Sequence, residues 1–541
     1  MPDVLRLPID EHLGAISSIP PQGAVVVAPP GTGKSTRVPP ALARAGRGPV
    51  WVLEPRRLAA RMLATRVAEE WGCRLGAEVG YEVRFERKTS SRSKVVFMTA
   101  GLFLRKLVAD PGLANVGCVV LDEFHERQLD SDLALCLCRA LRDRRGDLDI
   151  VVMSATMDPL PVAEYLGGAR IVETEVRSHP VDVRYMAGDA SWKLEQKVAS
   201  AARELVADGN GNILVFLPGK REIERAQGAV APIAERNGLA VTPLHGQLDS
   251  AAQDRAVRSK ERRIVLATNV AETSVTIDDV VGVIDSGLAR TARHSPWTAL
   301  PQLTLQPISR ASADQRAGRA GRTRPGTCIR LYQHGEYSSR PATTAPEISR
   351  ADLAGPLLSL IGLGRADLAW FEAPPAAAVD AARALLERLL FVADGSITAA
   401  GRKALALPVH PRLARVVADG IESGIGASAC AAAAVVENGP ITAMAREATS
   451  DSDIVDEVEL LDEYIGASPR ELRGAGLDAR ALSEVKKVVR QLLSAARVKP
   501  TGEIDPDERS RLLRKALCAG FVDRVCRRRR PGGPELALAG V

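Results

Sequence analysis

Cys118-Val119-Val120-Leu121-Asp122-Glu123-Phe124-His125 is the stretch that decides how this chain folds. Its first four residues are apolar without alternation, which marks a strand buried on both faces, as in a parallel sheet. The run then stops on two carboxylates and a histidine. Adjacent residues at a strand end project to opposite sides, so Asp122 can anchor a magnesium ion while Glu123 polarises a water molecule. Taken alone, Asp-Glu after an apolar run is also an ordinary solvated strand end, so its neighbours must decide.

The first neighbour lies upstream. Ala28-Pro29-Pro30-Gly31-Thr32-Gly33-Lys34-Ser35 follows the apolar run Ala24–Val27 and precedes a helical stretch. A strand, a glycine-rich turn and a helix form the setting in which backbone N–H groups curl around phosphate oxygens. Gly31, Thr32, Gly33 and Thr36 would shape that loop, Lys34 would neutralise the outer phosphates, and Ser35 would help Asp122 and Glu123 handle the metal. Ala28 stands where such loops usually begin with glycine.

Further apolar runs recur at Val50–Leu53, Val95–Met98, Ile150–Met153, Ile213–Leu217, Ile264–Ala267, Val281–Ile284 and Cys328–Tyr332, with helical stretches such as Leu58–Trp71, Leu102–Val108 and Asp130–Arg142 between them. This is βαβ repeated in two blocks, with a polar, proline-bearing join around Glu173–Pro180. In open α/β sheets ligands sit beyond the carboxyl ends of strands. Glu54–Arg57, Thr99–Gly101, Ser154–Thr156 and Thr268–Asp278 fall there, as do the two motifs above. After Pro346 the texture turns alanine- and leucine-rich and helical, punctuated by Pro374-Pro375 and Pro408–Pro411.

Composition sets limits. The 541 residues exceed one core and predict about three to five domains. The chain is 46% apolar and 26% charged, with a net charge of +6 that permits nucleic-acid binding without demanding it. Aromatics make up only 4%, which argues against base stacking as the main grip on a nucleic acid. Eight cysteines include no Cys-x-x-Cys pair, so reduced thiols in a cytoplasmic protein are expected. Asp10 and Glu11 near the start leave no room for an apolar leader, and no run approaches the ~20 residues of a membrane span.

The third chemical segment is Gln315-Arg316-Ala317-Gly318-Arg319-Ala320-Gly321-Arg322. Arg319 and Arg322 share a face if helical, and the small residues between them allow close approach to another domain. Such arginines can stabilise charge on a transferring phosphoryl group while Gln315 orients water. The order of these motifs, with Ser154-Ala155-Thr156, Leu53-Glu54-Pro55-Arg56-Arg57, Gly80–Phe85 and Ala267–Ser274, resembles a superfamily 2 helicase of the DEAH/RHA group. Phe124, followed by Glu126-Arg127, together with Leu7-Pro8-Ile9-Asp10 and Leu407–Leu413, is similar to the bacterial HrpB-type branch.

That resemblance implies an α/β fold of two tandem RecA-like domains with parallel sheets, at 1–176 and 177–345. A winged helix at 346–412, a ratchet-like helical bundle at 413–517 and, at 518–541, the start of a further domain would follow. It implies ATP and Mg²⁺ as ligands, with Lys34, Asp122, Glu123, Gln315, Arg319 and Arg322 in catalysis. Ser274, Thr276 and Asp278 would sense the nucleotide, and Arg66 would lie against its base. His125, Ser154 and Thr156 would couple hydrolysis to domain movement, while Arg56, Arg57, Thr99, Thr268 and Asn269 would hold an RNA backbone. The family's partner aromatic for the base is replaced by Val257, so other nucleoside triphosphates are expected to serve nearly as well as ATP. Trp297, in a proline-bearing stretch where the family carries a β-hairpin, is either a stacking wedge or a residue packed on that hairpin. The expected activity is that of a monomeric 3′–5′ RNA helicase or translocase on single strands or tailed duplexes. A DNA-acting motor and a nucleotide-gated RNA clamp remain the alternatives.

Overall fold

The structure, a computed structural model, describes residues 6–174, 179–186, 191–209, 211–248, 250–272, 277–294, 301–442, 450–498, 504–530 and 535–538. It divides into two compact units, Met1–Ala351 with Ala369–Ala373, and Asp352–Leu368 with Pro374–Val541.

The first unit holds two parallel sheets. Strands β1 (Ala24–Val27), β2 (Val50–Glu54), β3 (Val79–Val83), β4 (Glu86–Lys88), β5 (Val95–Thr99), β6 (Cys118–Leu121), β7 (Asp149–Ser154) and β8 (Arg170–Glu173) form the first. Their order is β4-β3-β5-β2-β6-β7-β1-β8, and only the β3/β4 hairpin is antiparallel. The apolar runs are buried as their lack of alternation requires: Cys118–Leu121 is buried throughout, and Val26, Val52, Phe97, Val120 and Val151 share one core. The central neighbours β2, β6, β7 and β1 end together, with Leu53 opposite Leu121, Leu121 opposite Val152, and Val27 opposite Ser154. That alignment brings the phosphate loop, Glu54, Asp122-Glu123 and Ser154 to one edge.

The second sheet comprises β9 (Val181–Tyr185), β10 (Asn212–Phe216), β11 (Ala240–Leu244), β12 (Arg263–Ala267), β13 (Val280–Asp285) and β16 (Gly326–Arg330), in the order β11-β12-β10-β13-β16-β9. Every pairing in it is parallel. An antiparallel hairpin, β14 (Leu288–His294) with β15 (Pro301–Pro307), follows β13. The helix Arg310–Ala317 then begins where the Ser309 hydroxyl accepts the Ser312 N–H, an N-cap that satisfies an otherwise orphaned donor.

In the two parallel sheets, five strands, β3, β4, β8, β9 and β11, go beyond the apolar runs read in the sequence. β4, β8, β9 and β11 lie in or beside the sheet edges, where one side faces water and continuous apolarity is not required. β16 starts and ends two residues before the apolar run Cys328–Tyr332, because Gly326-Thr327 already pair with β13 and β9. The expected join between blocks falls between β8 and β9, and 175–178 within it lie outside the described residues.

The second unit is mainly helical. Helices Ala354–Gly362, Ala376–Arg388 and Ala399–Leu405 accompany a short antiparallel pair, Val392–Ala393 with Ser396–Ile397. Helices Pro411–Glu422, Gly426–Asn438, Asp453–Glu463, Ala479–Ala496 and Pro506–Gly520 share another core, around Val416, Ala432, Val458, Val488 and Leu513. Pro411 occupies the first helical turn, where its missing N–H costs nothing. Buried Arg412 donates from Nη2 to Asp523 Oδ2 at 2.8 Å. Near the end of the sequence, strand Leu536–Leu538 pairs antiparallel with Cys526–Arg528.

Candidate active site

Gly31 and Gly33 have φ of +90° and +91°, in the left-handed region that only glycine enters without cost. At Gly33 space forbids a side chain as well, since a Cβ would lie 2.5 Å from Leu7 Cδ1. The turn delivers the chain into the helix Lys34–Arg44, so the open N–H groups of its first turn face outward beyond β1, a ready anion cradle. The Thr32 hydroxyl donates to the Pro29 carbonyl at 2.9 Å and that of Thr36 to the Gly33 carbonyl at 3.3 Å, which stiffens the loop. Lys34 is 4% exposed and its Nζ donates to Glu123 Oε1 at 3.2 Å.

Three carboxylates surround that ammonium group. Glu123 has φ +50°, a strained left-handed conformation for a residue with a Cβ. Its N–H donates to Asp122 Oδ1 at 2.8 Å. Asp122 Oδ2 and Glu123 Oε2 are buried without a hydrogen-bond donor, as are both carboxylate oxygens of Glu54. Burial and the neighbouring Glu123 push Asp122 up to about 6. Burial, then Asp122 and Glu123, push Glu54 well above the ordinary carboxylate range, where it carries a proton it can share with Asp122. Burial acts on Glu123 in the same direction, but Lys34 outweighs it and holds this carboxyl low. Burial disfavours the charge on Lys34, yet Glu123 and Asp122 hold its value above normal.

His125 Nδ1 lies 3.5 Å from Glu123 Oε2, which is no ion pair. Burial depresses the imidazole, and Nδ1 accepts the Ala155 N–H at 3.4 Å. The ring therefore stays neutral with its proton on Nε2, buried between the acidic turn and the end of β7. Ser154 is fully buried there.

The second sheet brings a cationic face to the same place. Gln315 Nε2 donates to Thr156 Oγ1 at 3.0 Å. Arg319 is 3% exposed and donates from Nε to the Glu272 carbonyl at 2.9 Å. Burial and then Arg322 lower Arg319 well below the usual arginine value, and burial lowers Arg322 to about 10. Both remain charged at neutral pH, and the Glu123 carboxylate acts favourably on each. Arg316, just ahead of them in sequence, is structural: it donates to Glu272 Oε2 at 2.9 Å and Asp285 Oδ1 at 2.8 Å.

Of the backbone-binding candidates, Arg57 and Thr99 line one cavity of 190 Å³ with Arg84, Arg105, Gln128 and Asp130. Burial and Glu347 push the Asp130 carboxyl up to about 6. Arg56 faces elsewhere, donating to Glu126 Oε2 and to the Asn269 carbonyl, each at 3.0 Å. Thr268 immediately precedes the short helix Asn269–Ala271, just past β12. Arg66 extends into solvent and pairs with Glu70 at 2.6 Å. Val257 is buried in the second sheet's core. Asp278 is exposed, and its carbonyl accepts from Asn212 at 2.7 Å at the amino ends of β10 and β13. Ser274, Thr276 and Trp297 lie outside the described residues.

Residues 12–164 match the DEAD/DEAH box helicase model and residues 196–324 the helicase conserved C-terminal domain. The chain is 38% identical to ATP-dependent RNA helicase HrpB of Escherichia coli K12 over 80% of its length and 54% of the relative's, and 39% identical to ATP-dependent RNA helicase HrpA of that organism over 74% and 32%. A crystal structure of the Escherichia coli DEAH/RHA helicase HrpB superposes with a TM-score of 0.81 at 34% identity, covering 97% of this chain and 64% of that one. The chain belongs to the HrpB-like DEAH/RHA helicases. It spans about half the length of HrpB and about a third of HrpA. The two parallel sheets are therefore the two RecA-like domains of this family, and the clustered Lys34, Asp122, Glu123 and Gln315–Arg322 segments occupy the facing edges of both.

Some working residues escaped the sequence. Glu54 sits in a quoted motif, but only the register of β2 against β6 reveals it as a third carboxylate. Arg61, buried on the helix Arg57–Trp71, donates to Gln253 at 3.1 Å and Asp254 at 3.2 Å, bridging the two RecA-like domains. Glu272 organises the arginine face, accepting from Arg316, Ser312 and Arg319. No periodicity distinguishes these three from surface charge.

Proposed function

We propose that this chain is an ATP-dependent, RNA-stimulated motor, in which water attack on the γ-phosphoryl group drives closing and opening of the two RecA-like domains. The observation that carries this reading is the buried Lys34–Glu123 pair lying under Arg319 and Arg322. Without nucleotide, Lys34 and Glu123 neutralise each other. An incoming triphosphate competes for Lys34, and Glu123, released from its cation, gains basicity and turns its unpaired Oε2 to the attacking water. Gln315 orients that water, and Arg319 and Arg322 offset the charge that develops on the phosphoryl oxygens. The donorless, hard oxygens of Asp122 and Glu123, with the Ser35 hydroxyl beside Asp122, suit Mg²⁺. Bound there, the metal would neutralise phosphate charge.

His125 and Ser154 lie behind the base, and Thr156 meets Gln315, so a change at the phosphate reaches both domains. Arg57 and Thr99 in their cavity, with Thr268 and Asn269 opposite, would hold phosphates and sugars without reading sequence. Movement 3′ to 5′ on single strands and opening of tailed duplexes follow from the family likeness. We read 346–412 as a winged helix and 413–517 as a ratchet-like bundle. Buried Val257 offers no aromatic platform to pair with Arg66 against the base, so GTP and CTP should turn over within several-fold of ATP.

The test is nucleoside triphosphate turnover with and without RNA or DNA homopolymers, beside unwinding of a 3′-tailed duplex. Wild type should hydrolyse and respond to RNA, while Glu123→Gln should bind nucleotide and lose at least about 10²-fold in turnover. Hydrolysis without strand separation would identify a clamp or remodeller. Stronger stimulation by DNA would reassign the substrate, and indifference to every nucleic acid would sink the motor.

A further inference from the structure

The turn that carries Glu123 and His125 is strained at both ends. Glu123 and Arg127 are both left-handed, with φ of +50° and +47° around a single 3₁₀ turn, Phe124–Glu126. Such backbone persists only where its surroundings over-determine it. Lys34 holds the first end. At the second, Arg127 Nε and Nη2 donate to Asp132 Oδ1 and Oδ2, both at 2.9 Å. The rest of the grip comes from far along the chain. Fully buried Phe124 packs on Phe371, with centroids 5.8 Å apart. Arg127 stacks over the Phe371 ring at 4.7 Å and donates to Glu372 Oε2 at 2.9 Å. Phe371's own N–H donates to Cys136 Sγ at 3.2 Å, and the Tyr165 hydroxyl donates to the Ala369 carbonyl at 2.6 Å. Nearby, the Glu347 N–H donates to the Arg127 carbonyl at 3.0 Å, while Glu347 Oε2 accepts the Leu129 N–H at 2.9 Å.

Ala369–Ala373 thus belongs to the first unit, although the chain on both sides of it belongs to the second. We propose that Phe371 and Glu372 are positioning residues for hydrolysis: docked on Phe124 and Arg127, they hold the strained turn in the shape that aims Glu123. Any event that draws on the second unit's chain, nucleic-acid binding included, pulls on this strap and so on the base. Phe124 is then explained, since an alanine in its place would remove the ring through which Phe371 reaches the interior of the turn. The inference rests on Glu123 acting as the base.

The experiment measures steady-state ATP turnover with saturating single-stranded RNA for wild type, Phe371→Ala, Phe371→Tyr, Glu372→Gln, Phe124→Ala and the Phe124→Ala/Phe371→Ala pair, each checked by thermal melting. Phe371→Ala should lower kcat about tenfold, the scale of loss when a reacting group is slightly misaimed, with KM for ATP within about twofold of wild type. Phe371→Tyr should restore kcat, and Glu372→Gln should lose about threefold. The double variant should be no worse than Phe124→Ala alone, as residues acting through one contact require. Wild-type kcat in both Phe371→Ala and Glu372→Gln would overturn the inference and leave the motor standing, as would a loss carried wholly by KM. If Phe371→Ala melts early, Glu372→Gln and the Tyr variant still decide. An inactive wild type would instead overturn the proposed function, and this inference with it.

Discussion

Glu54 shows how one residue's environment sets a measurable property. Its carboxyl lies buried beside Asp122 and Glu123, and its value is pushed well above 4.5. A raised value means the folded protein resists ionising this group, so the unfolded chain gains as Glu54 loses its proton. The stabilising contribution is whole below about pH 4.5 and is lost as pH rises through the displaced value. Glu54→Gln keeps the shape, supplies a permanent donor to Asp122 and removes the penalty. In nucleotide-free protein its melting temperature should exceed that of wild type by a few degrees at pH 8, and the gap should close toward pH 5. A gap that widens toward acid would mean Glu54 is ionised in the fold. Thermal melts from pH 5 to 8 decide it. The sequence placed an acid here at a strand end, but its protonation depends on two carboxylates contributed by a different strand.

At the level of elements, the helix Arg57–Trp71 serves both RecA-like domains. Leu58, from its first turn, is buried in the second domain's core with Leu244 and Val265, and Arg61 one turn on reaches Gln253 and Asp254. Arg258 adds an exposed pair with Glu69, worth little by itself. The sequence made this helix legible through its spacing, but could not show that part of its apolar face belongs to the other domain. For the same reason it missed the edge strands β9 and β11, whose half-exposed residues carry no continuous apolarity, while the strands buried on both faces were readable except β3, where Gly80 and Glu82 interrupt the apolar run. Arg61→Ala should cost about 1–3 kcal/mol in urea unfolding, because Gln253 is buried and loses its partner. Asp254 is half exposed and contributes less. Arg61→Lys should recover under half of that, since one ammonium cannot reproduce the guanidinium fork. A loss below about 0.5 kcal/mol in Arg61→Ala would show that the bridge does not hold the domains together.

For the molecule as a whole, charge decides how the nucleic acid of the proposed function would be held. A net charge of +6 over 541 residues is too small to bind phosphate by bulk attraction, so affinity must come from local cations. Arg57, Arg84 and Arg105 share one cavity with Thr99, and Arg56, beside Arg57 in sequence, pairs with Glu126. Each phosphate neutralised on a single strand contributes a slope of about −0.7 in log affinity against log salt, so three arginines predict about −2. Hydroxyl contacts such as those from Thr99 and Thr268 add affinity but no slope. Single-stranded homopolymers of different base should then bind within several-fold of one another, because backbone contacts carry no sequence information. Arg57→Ala should weaken all of them alike and flatten the slope by about 0.7. Fluorescence anisotropy across a salt series measures both quantities. A wild-type slope near −5, unchanged by Arg57→Ala, would move the main grip to other cations, of which Arg527–Arg530 in the second unit form the densest run. A slope near −2 that loses a third of its value in the variant places it on the first RecA-like domain, beside the strands whose ends carry the hydrolytic carboxylates.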